Sequence, residues 1–158
     1  MMALTFALMV ASGMALAAIT IDCSGGECTG TEGDDSMTGT DGYDLMYGLG
    51  GNDNMFGHFG NDEMYGGSGD DFLLGDEDFD FPDTLLGNDT LYGGAGNDDL
   101  RGGFGNDKIY GGSGDDTIYV DQPKREQADR VECGYGYDSV YANRKDSVSR
   151  NCESVTIQ

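Results

Sequence analysis

Apolar side chains recur at every ninth position along most of this chain: Met37, Met46, Met55, Met64, Leu73, Leu91, Leu100, Ile109 and Ile118. The position after them collects aromatics, with Tyr47, Phe56, Tyr65, Tyr92, Tyr110 and Tyr119. Between these apolar pairs the residues are glycine or polar. A strict nine-residue period predicts short rungs stacked on one another rather than a conventional globular core. Along a strand, alternate side chains share a face, so the sixth and eighth positions of each unit point the same way. The eighth position is therefore expected to fill a thin interior, with the sixth at the edge of the turn that precedes it.

That sixth position is an aspartate ten times without a slip: Asp35, Asp44, Asp53, Asp62, Asp71, Asp80, Asp89, Asp98, Asp107 and Asp116. Glycine holds the fourth position in nine units, at Gly33, Gly42, Gly51, Gly60, Gly69, Gly87, Gly96, Gly105 and Gly114. Glycine tolerates positive φ and lets backbone carbonyls crowd round an ion, which a residue with a Cβ resists. A hard cation such as calcium takes six to eight oxygen ligands, and carboxylates with carbonyls supply them. The ten aspartates are thus the candidate metal ligands, with backbone carbonyls near the nine glycines completing the shell.

The unit reads Gly-Gly-x-Gly-(Asn/Asp)-Asp-x-apolar-x, as in GGSGDDFLL from Gly66, GGAGNDDLR from Gly93, GGFGNDKIY from Gly102 and GGSGDDTIY from Gly111. This resembles the calcium-binding nonapeptide of the repeats-in-toxin (RTX) family. The resemblance implies an all-β fold, a parallel β-roll over residues 30–120, in which six residues of each unit turn and three form a strand. It also implies two units per coil and several Ca2+ ions between stacked coils. The aspartates would then form two columns, Asp35-Asp53-Asp71-Asp89-Asp107 and Asp44-Asp62-Asp80-Asp98-Asp116.

One unit departs. Residues 75–83 read GDEDFDFPD, with Asp78 in place of the glycine and Pro82 at the apolar position. Proline cannot donate to a sheet ladder, so this stretch is a bulged rung or a looped-out segment. Its nine residues keep the phase, which leaves Asp71 and Asp89 as expected column neighbours. Asp76, Asp78 and Asp80 have the spacing that opens an EF-hand, but Phe81 replaces the turn glycine and Gly87 the final glutamate, which excludes one.

The chain of 158 residues carries a formal charge of −22. The excess lies almost wholly before residue 121, where Arg101 and Lys108 are the only basic side chains. Such a surface argues against nucleic acid. Residues 1–17 are apolar and uncharged, too short to span a membrane. Ala15 and Ala17 give the small residues of a signal-peptide cleavage site, so a secreted or cell-surface protein beginning at Ala18 is expected, without a basic segment before the apolar run.

The four cysteines flank the repeats. For an exported chain, Cys23 with Cys28 and Cys133 with Cys152 is the favoured of three pairings, and zinc held by four thiolates is the alternative. Residues 18–29 and 121–158 are expected to cap the two ends of the roll as monomer ends require. Residues 121–158 keep an aspartate-x-valine echo of the repeat at Asp129, Asp138 and Asp146, where calcium binding is not expected.

No catalytic signature is present, and the chain is read as a non-enzyme. His58, the single histidine, stands at a second position as a loop substitution. Calcium binding coupled to folding is the expected function. The alternative is an extracellular adhesion or matrix module, with the aromatic stripe touching a glycan or protein partner and calcium serving the structure alone.

Overall fold

The computed structural model describes residues 19–76, 87–120 and 127–158. The expected signal peptide (1–17) and Asp78, Asp80 and Pro82 lie outside them. Fifteen strands form two parallel sheets, with no helix among the described residues. One sheet comprises β1 (Thr20–Asp22), β3 (Ser36–Thr38), β5 (Asn54–Phe56), β7 (Phe72–Leu74), β9 (Asp99–Arg101), β11 (Thr117–Val120), β13 (Ser139–Ala142) and β15 (Ser154–Ile157), in that order. The other runs β2 (Glu27–Thr29), β4 (Leu45–Gly50), β6 (Glu63–Ser68), β8 (Thr90–Ala95), β10 (Lys108–Ser113), β12 (Arg130–Tyr135) and β14 (Ser147–Val148). Odd strands pair with odd and even with even, which is the parallel β-roll implied by the repeat, about seven coils long.

The eighth-position residues interdigitate between the sheets. Met37, Met55, Leu73, Leu100, Ile118 and Val140 stack through one sheet, and Met46, Met64, Leu91, Ile109 and Val131 through the other. All of them are buried. One side chain per half-coil makes a thin core, so rung-to-rung main-chain bonds carry much of the cohesion.

The structure corrects the expected column order. β6 pairs directly with β8 and β7 with β9, so Glu63 meets Thr90 and Phe72 meets Asp99, steps of 27 residues where the others nearby are 18. Residues 75–83 therefore add no rung between these strands. β7 ends at Leu74 and β8 begins at Thr90, so one extra period lies between two consecutive described strands. An insertion of nine residues moves everything after it by half a coil, and Asp89 joins the column of Asp62 rather than that of Asp71.

Strand length also departs from the three residues expected. β4, β6, β8, β10 and β12 each run six residues, into the glycines of the following unit. Their second-position residues pair across rungs, as Gly67 does with Gly94 and Gly94 with Gly112. Leu49 and His58 hold this second position with positive φ, 82° and 74°, so the loop tolerates side chains there at a backbone cost.

The ninth-position aromatics form ladders. Tyr47, Tyr65, Tyr92 and Tyr110 stack face to face with centroids 5.0, 4.6 and 4.8 Å apart. On the other sheet the Arg101 guanidinium lies between the rings of Phe72 and Tyr119, at 5.1 and 4.9 Å, while Asp99 grips its Nε and Nη2 at 2.8 and 2.9 Å. Disulfides join Cys23 to Cys28 and Cys133 to Cys152, which are the favoured pairing and exclude the zinc alternative. Cys23 and Cys133 are buried in the core near opposite ends of the roll.

Close stacking makes some glycines irreplaceable. Gly96 has φ of 137°, and a Cβ there would collide with the Gly69 carbonyl. Gly25, by contrast, has no atom within 4 Å of where a Cβ would lie. Gly96→Ala is expected to lower the stability of the calcium-saturated protein by about 1–3 kcal/mol. Gly25→Ala should change it by less than about 0.5 kcal/mol. Urea unfolding of the two variants checks the contrast.

Candidate metal centre

Each turn delivers its aspartate to the same edge of the roll as the turn below, so carboxylates stack at the rung spacing. In the first column the N–H of each residue donates to Oδ1 of the next: Asp35 to Asp53 (2.8 Å), Asp53 to Asp71 (2.9 Å), Asp71 to Asp98 (2.9 Å), Asp98 to Asp116 (2.9 Å) and Asp116 to Asp138 (3.0 Å). Glu153 ends it, accepting from Asp138 at 3.0 Å. The second column links Asp44, Asp62, Asp89, Asp107, Asp129 and Asp146 in the same way, at 2.8 to 3.0 Å.

One carboxylate oxygen is thus used within the chain, and the other is left over. Oδ2 of Asp53, Asp62, Asp71, Asp89, Asp98, Asp107, Asp116 and Asp138 is buried with no hydrogen-bond partner. A buried anionic oxygen without a donor is costly, and eight of them stacked in two rows cannot be accidental packing faults. The first two units differ. Thr31 N–H and Oγ1 donate to Asp35 Oδ2 at 2.5 and 2.9 Å, and Thr40 does the same for Asp44 at 2.6 and 3.0 Å. Asp35 Oδ1 also accepts the Ile19 N–H at 3.2 Å. Asp35 therefore has both oxygens satisfied by the protein, whereas the interior aspartates do not.

Main-chain carbonyls face the leftover oxygens. A Cβ on Gly30 would lie 2.7 Å from both Asp35 Oδ2 and the Gly48 carbonyl oxygen. The same convergence repeats at Gly48 (Asp53 with Gly66 O), Gly66 (Asp71 with Gly93 O), Gly93 (Asp98 with Gly111 O) and Gly111 (Asp116 with Cys133 O). These are first-position residues, which the sequence reading missed although glycine at that place was plain in the repeat. The fourth-position carbonyls of Gly51, Gly69, Gly87 and Gly96 face the fourth-position glycine of the next coil, and at Gly87 and Gly105 such a carbonyl converges with Asp89 Oδ1 and Asp107 Oδ1. Among the described residues no three Asp, Glu, His or Cys side chains make a metal cluster by themselves. A cation here would draw on carboxylate and carbonyl oxygens together, an all-oxygen set suited to calcium.

The columns continue where the repeat fades. Asp129 and Asp138 are as buried as the interior aspartates, so the columns run on into residues 121–158. Asp80 falls outside the described residues. Asp76, at a second position, is buried too, and its Oδ2 accepts the Gly87 N–H at 2.6 Å.

Burial is the main force on these carboxyl groups, and neighbouring aspartate charges add to it. Together they push Asp53 and Asp98 up to about 6, Asp62, Asp71, Asp116 and Asp129 to about 7, and Asp89 to about 10, while Asp107 is raised well above the usual range. The backbone N–H on Oδ1 pulls the other way in each case. An unfolded aspartate titrates near about 3.9, so without metal the folded chain binds more protons than the unfolded one. The stability these groups contribute is full below about pH 4 and is lost as pH rises, through about 6 to 7 for most of them and about 10 for Asp89. In chelator, circular dichroism should therefore show β structure growing as pH falls from about 8 to about 5. A metal-free chain with most β structure at the alkaline end would contradict this.

Comparison with known proteins agrees with the geometry. The family model for the RTX calcium-binding nonapeptide repeat matches residues 29–64, 50–82 and 83–118. No curated protein and no solved structure matches the chain. Over half the chain lies within the matched repeats, so it belongs to the RTX calcium-binding nonapeptide repeat family, whose repeats bind several calcium ions.

Proposed function

We propose that the protein is a small exported β-roll whose folding is coupled to calcium, with ions held along the two aspartate columns. The observation that carries this reading is the double row of buried Oδ2 atoms without partners. The proposed ligands are Asp53, Asp62, Asp71, Asp89, Asp98, Asp107 and Asp116, extended by Asp129 and Asp138, with first-position carbonyls beside them. Asp35 is the weakest member, because the chain already satisfies both of its oxygens, whereas Asp44 keeps Oδ1 buried without a partner.

Two disulfides support export, since such bonds persist in oxidising compartments. Extracellular calcium modules commonly bind at about 0.1–1 mM. With free calcium tenfold above the dissociation constant, each site adds about 1.4 kcal/mol to the folded state. A thin core of single methionine, leucine and isoleucine rows leaves such increments decisive. The competing reading, an adhesion surface on the tyrosine ladder, is less well supported. The ring faces are turned to one another, leaving edges rather than open faces for a sugar or peptide to stack on.

Removing calcium with a chelator at neutral pH is expected to convert the β-type circular dichroism spectrum to that of a disordered chain, and restoring it should reverse the change. Calorimetry should show several calcium ions bound over the same concentration range. An unaltered spectrum in excess chelator would overturn the coupling.

A further inference from the structure

Asp76 stands where the other turns place Gly67, Gly94, Gly103 or Gly112, and it is fully buried. Its Oδ2 accepts the Gly87 N–H at 2.6 Å, which ties the two ends of the interrupted turn. Its Oδ1 has no partner. Through Gly87, two residues before Asp89, the side chain is tied to the second column, where Oδ2 of Asp62, Asp89 and Asp107 is also buried and unpartnered. After burial itself, the Asp76 charge is among the influences that raise the proton affinity of all three. Carbonyl oxygens are at hand as well. A Cβ on Gly75 would run into both Asp89 Oδ2 and the Gly102 carbonyl, and one on Gly57 would lie 3.0 Å from the Gly75 carbonyl.

We propose that Asp76 is an additional calcium ligand, and that the coil it closes, between Asp62 and Asp107, holds the tightest calcium site of the roll. The repeat assigns one carboxylate per turn, and among the described residues this turn has two buried ones, Asp76 and Asp89. Calcium affinity rises with the charge and number of the oxygens that face the ion. An ion bound there would be held by a side chain that also clasps the Gly87 amide. This inference rests on the calcium reading above and adds to it a residue outside the repeat and a ranking among sites.

The test is calcium titration by calorimetry on the parent protein, Asp76→Asn and Asp76→Gly, with circular dichroism at saturating calcium as the folding control. Asparagine keeps an oxygen for the Gly87 N–H and removes the charge; glycine restores the residue usual at this position. The expected result is a tight binding step in the parent that weakens by about tenfold or more in both variants, while the weaker steps and the calcium-saturated spectrum persist. If Asp76→Asn reproduces the parent isotherm, Asp76 is a loop clasp alone and the proposal is overturned. Equivalent sites throughout the parent would overturn it too, with calcium binding by the roll left standing. A parent that takes up no calcium would remove the functional reading itself.

Discussion

Buried carboxylates stacked one coil above another are the constraint on which this molecule turns. A parallel rung spacing of roughly 4.8 Å brings each aspartate within direct reach of the next. The N–H-to-Oδ1 chain uses one oxygen of the interior carboxylates and leaves Oδ2 of Asp53, Asp71, Asp98 and Asp116 dry and unpaired. Unscreened charges at that distance repel strongly, and removing them from water is costly. A cation in the seam reverses the sign of the interaction, so the same geometry that opposes folding in its absence holds the coils together in its presence.

The backbone is arranged to allow that proximity. Carbonyls approach the first-position glycines so closely that a side chain there would occupy the space the oxygens share. The cost is a chain with little apolar area per residue and much conformational freedom to lose. Rows of methionine, leucine and isoleucine seal the interior, while tyrosine stacking and the Arg101 sandwich tie rungs together outside. Neither resembles the cohesion of a thick core, which is why metal and disulfides matter here. The disulfides fix the terminal coils, where a solenoid has no neighbour to bury its last rung.

The ends of the columns are handled differently. At the start, Thr31 and Thr40 give their hydroxyls to Asp35 and Asp44, which leaves Asp35 with both oxygens satisfied and Asp44 with Oδ1 unpartnered. At the other end, Asp138 donates its amide to Glu153 and Asp129 to Asp146, so acidic acceptors persist although the glycines thin out. The ladder thus outlasts the motif by which a repeat is recognised.

Much was legible in the chain itself. The nine-residue period of glycine, aspartate and apolar residue dictates turn, ligand and core at once, because each is a local property of the backbone at that position. From Met37 to Ile118, every apolar residue that the period marks is buried. The cysteines were legible as two flanking pairs, with local pairing the favoured of three, and the structure joins partners 5 and 19 residues apart. Which aspartates become neighbours was not legible. That depends on how many residues each half-coil consumes, and an insertion of one full period preserves the phase while shifting every later strand to the opposite sheet. Only the folded coil shows Asp71 against Asp98 and Asp62 against Asp89. The same holds for the first-position carbonyls, which meet the glycines of a neighbouring coil 18 to 27 residues away, a distance along the chain that no local pattern records.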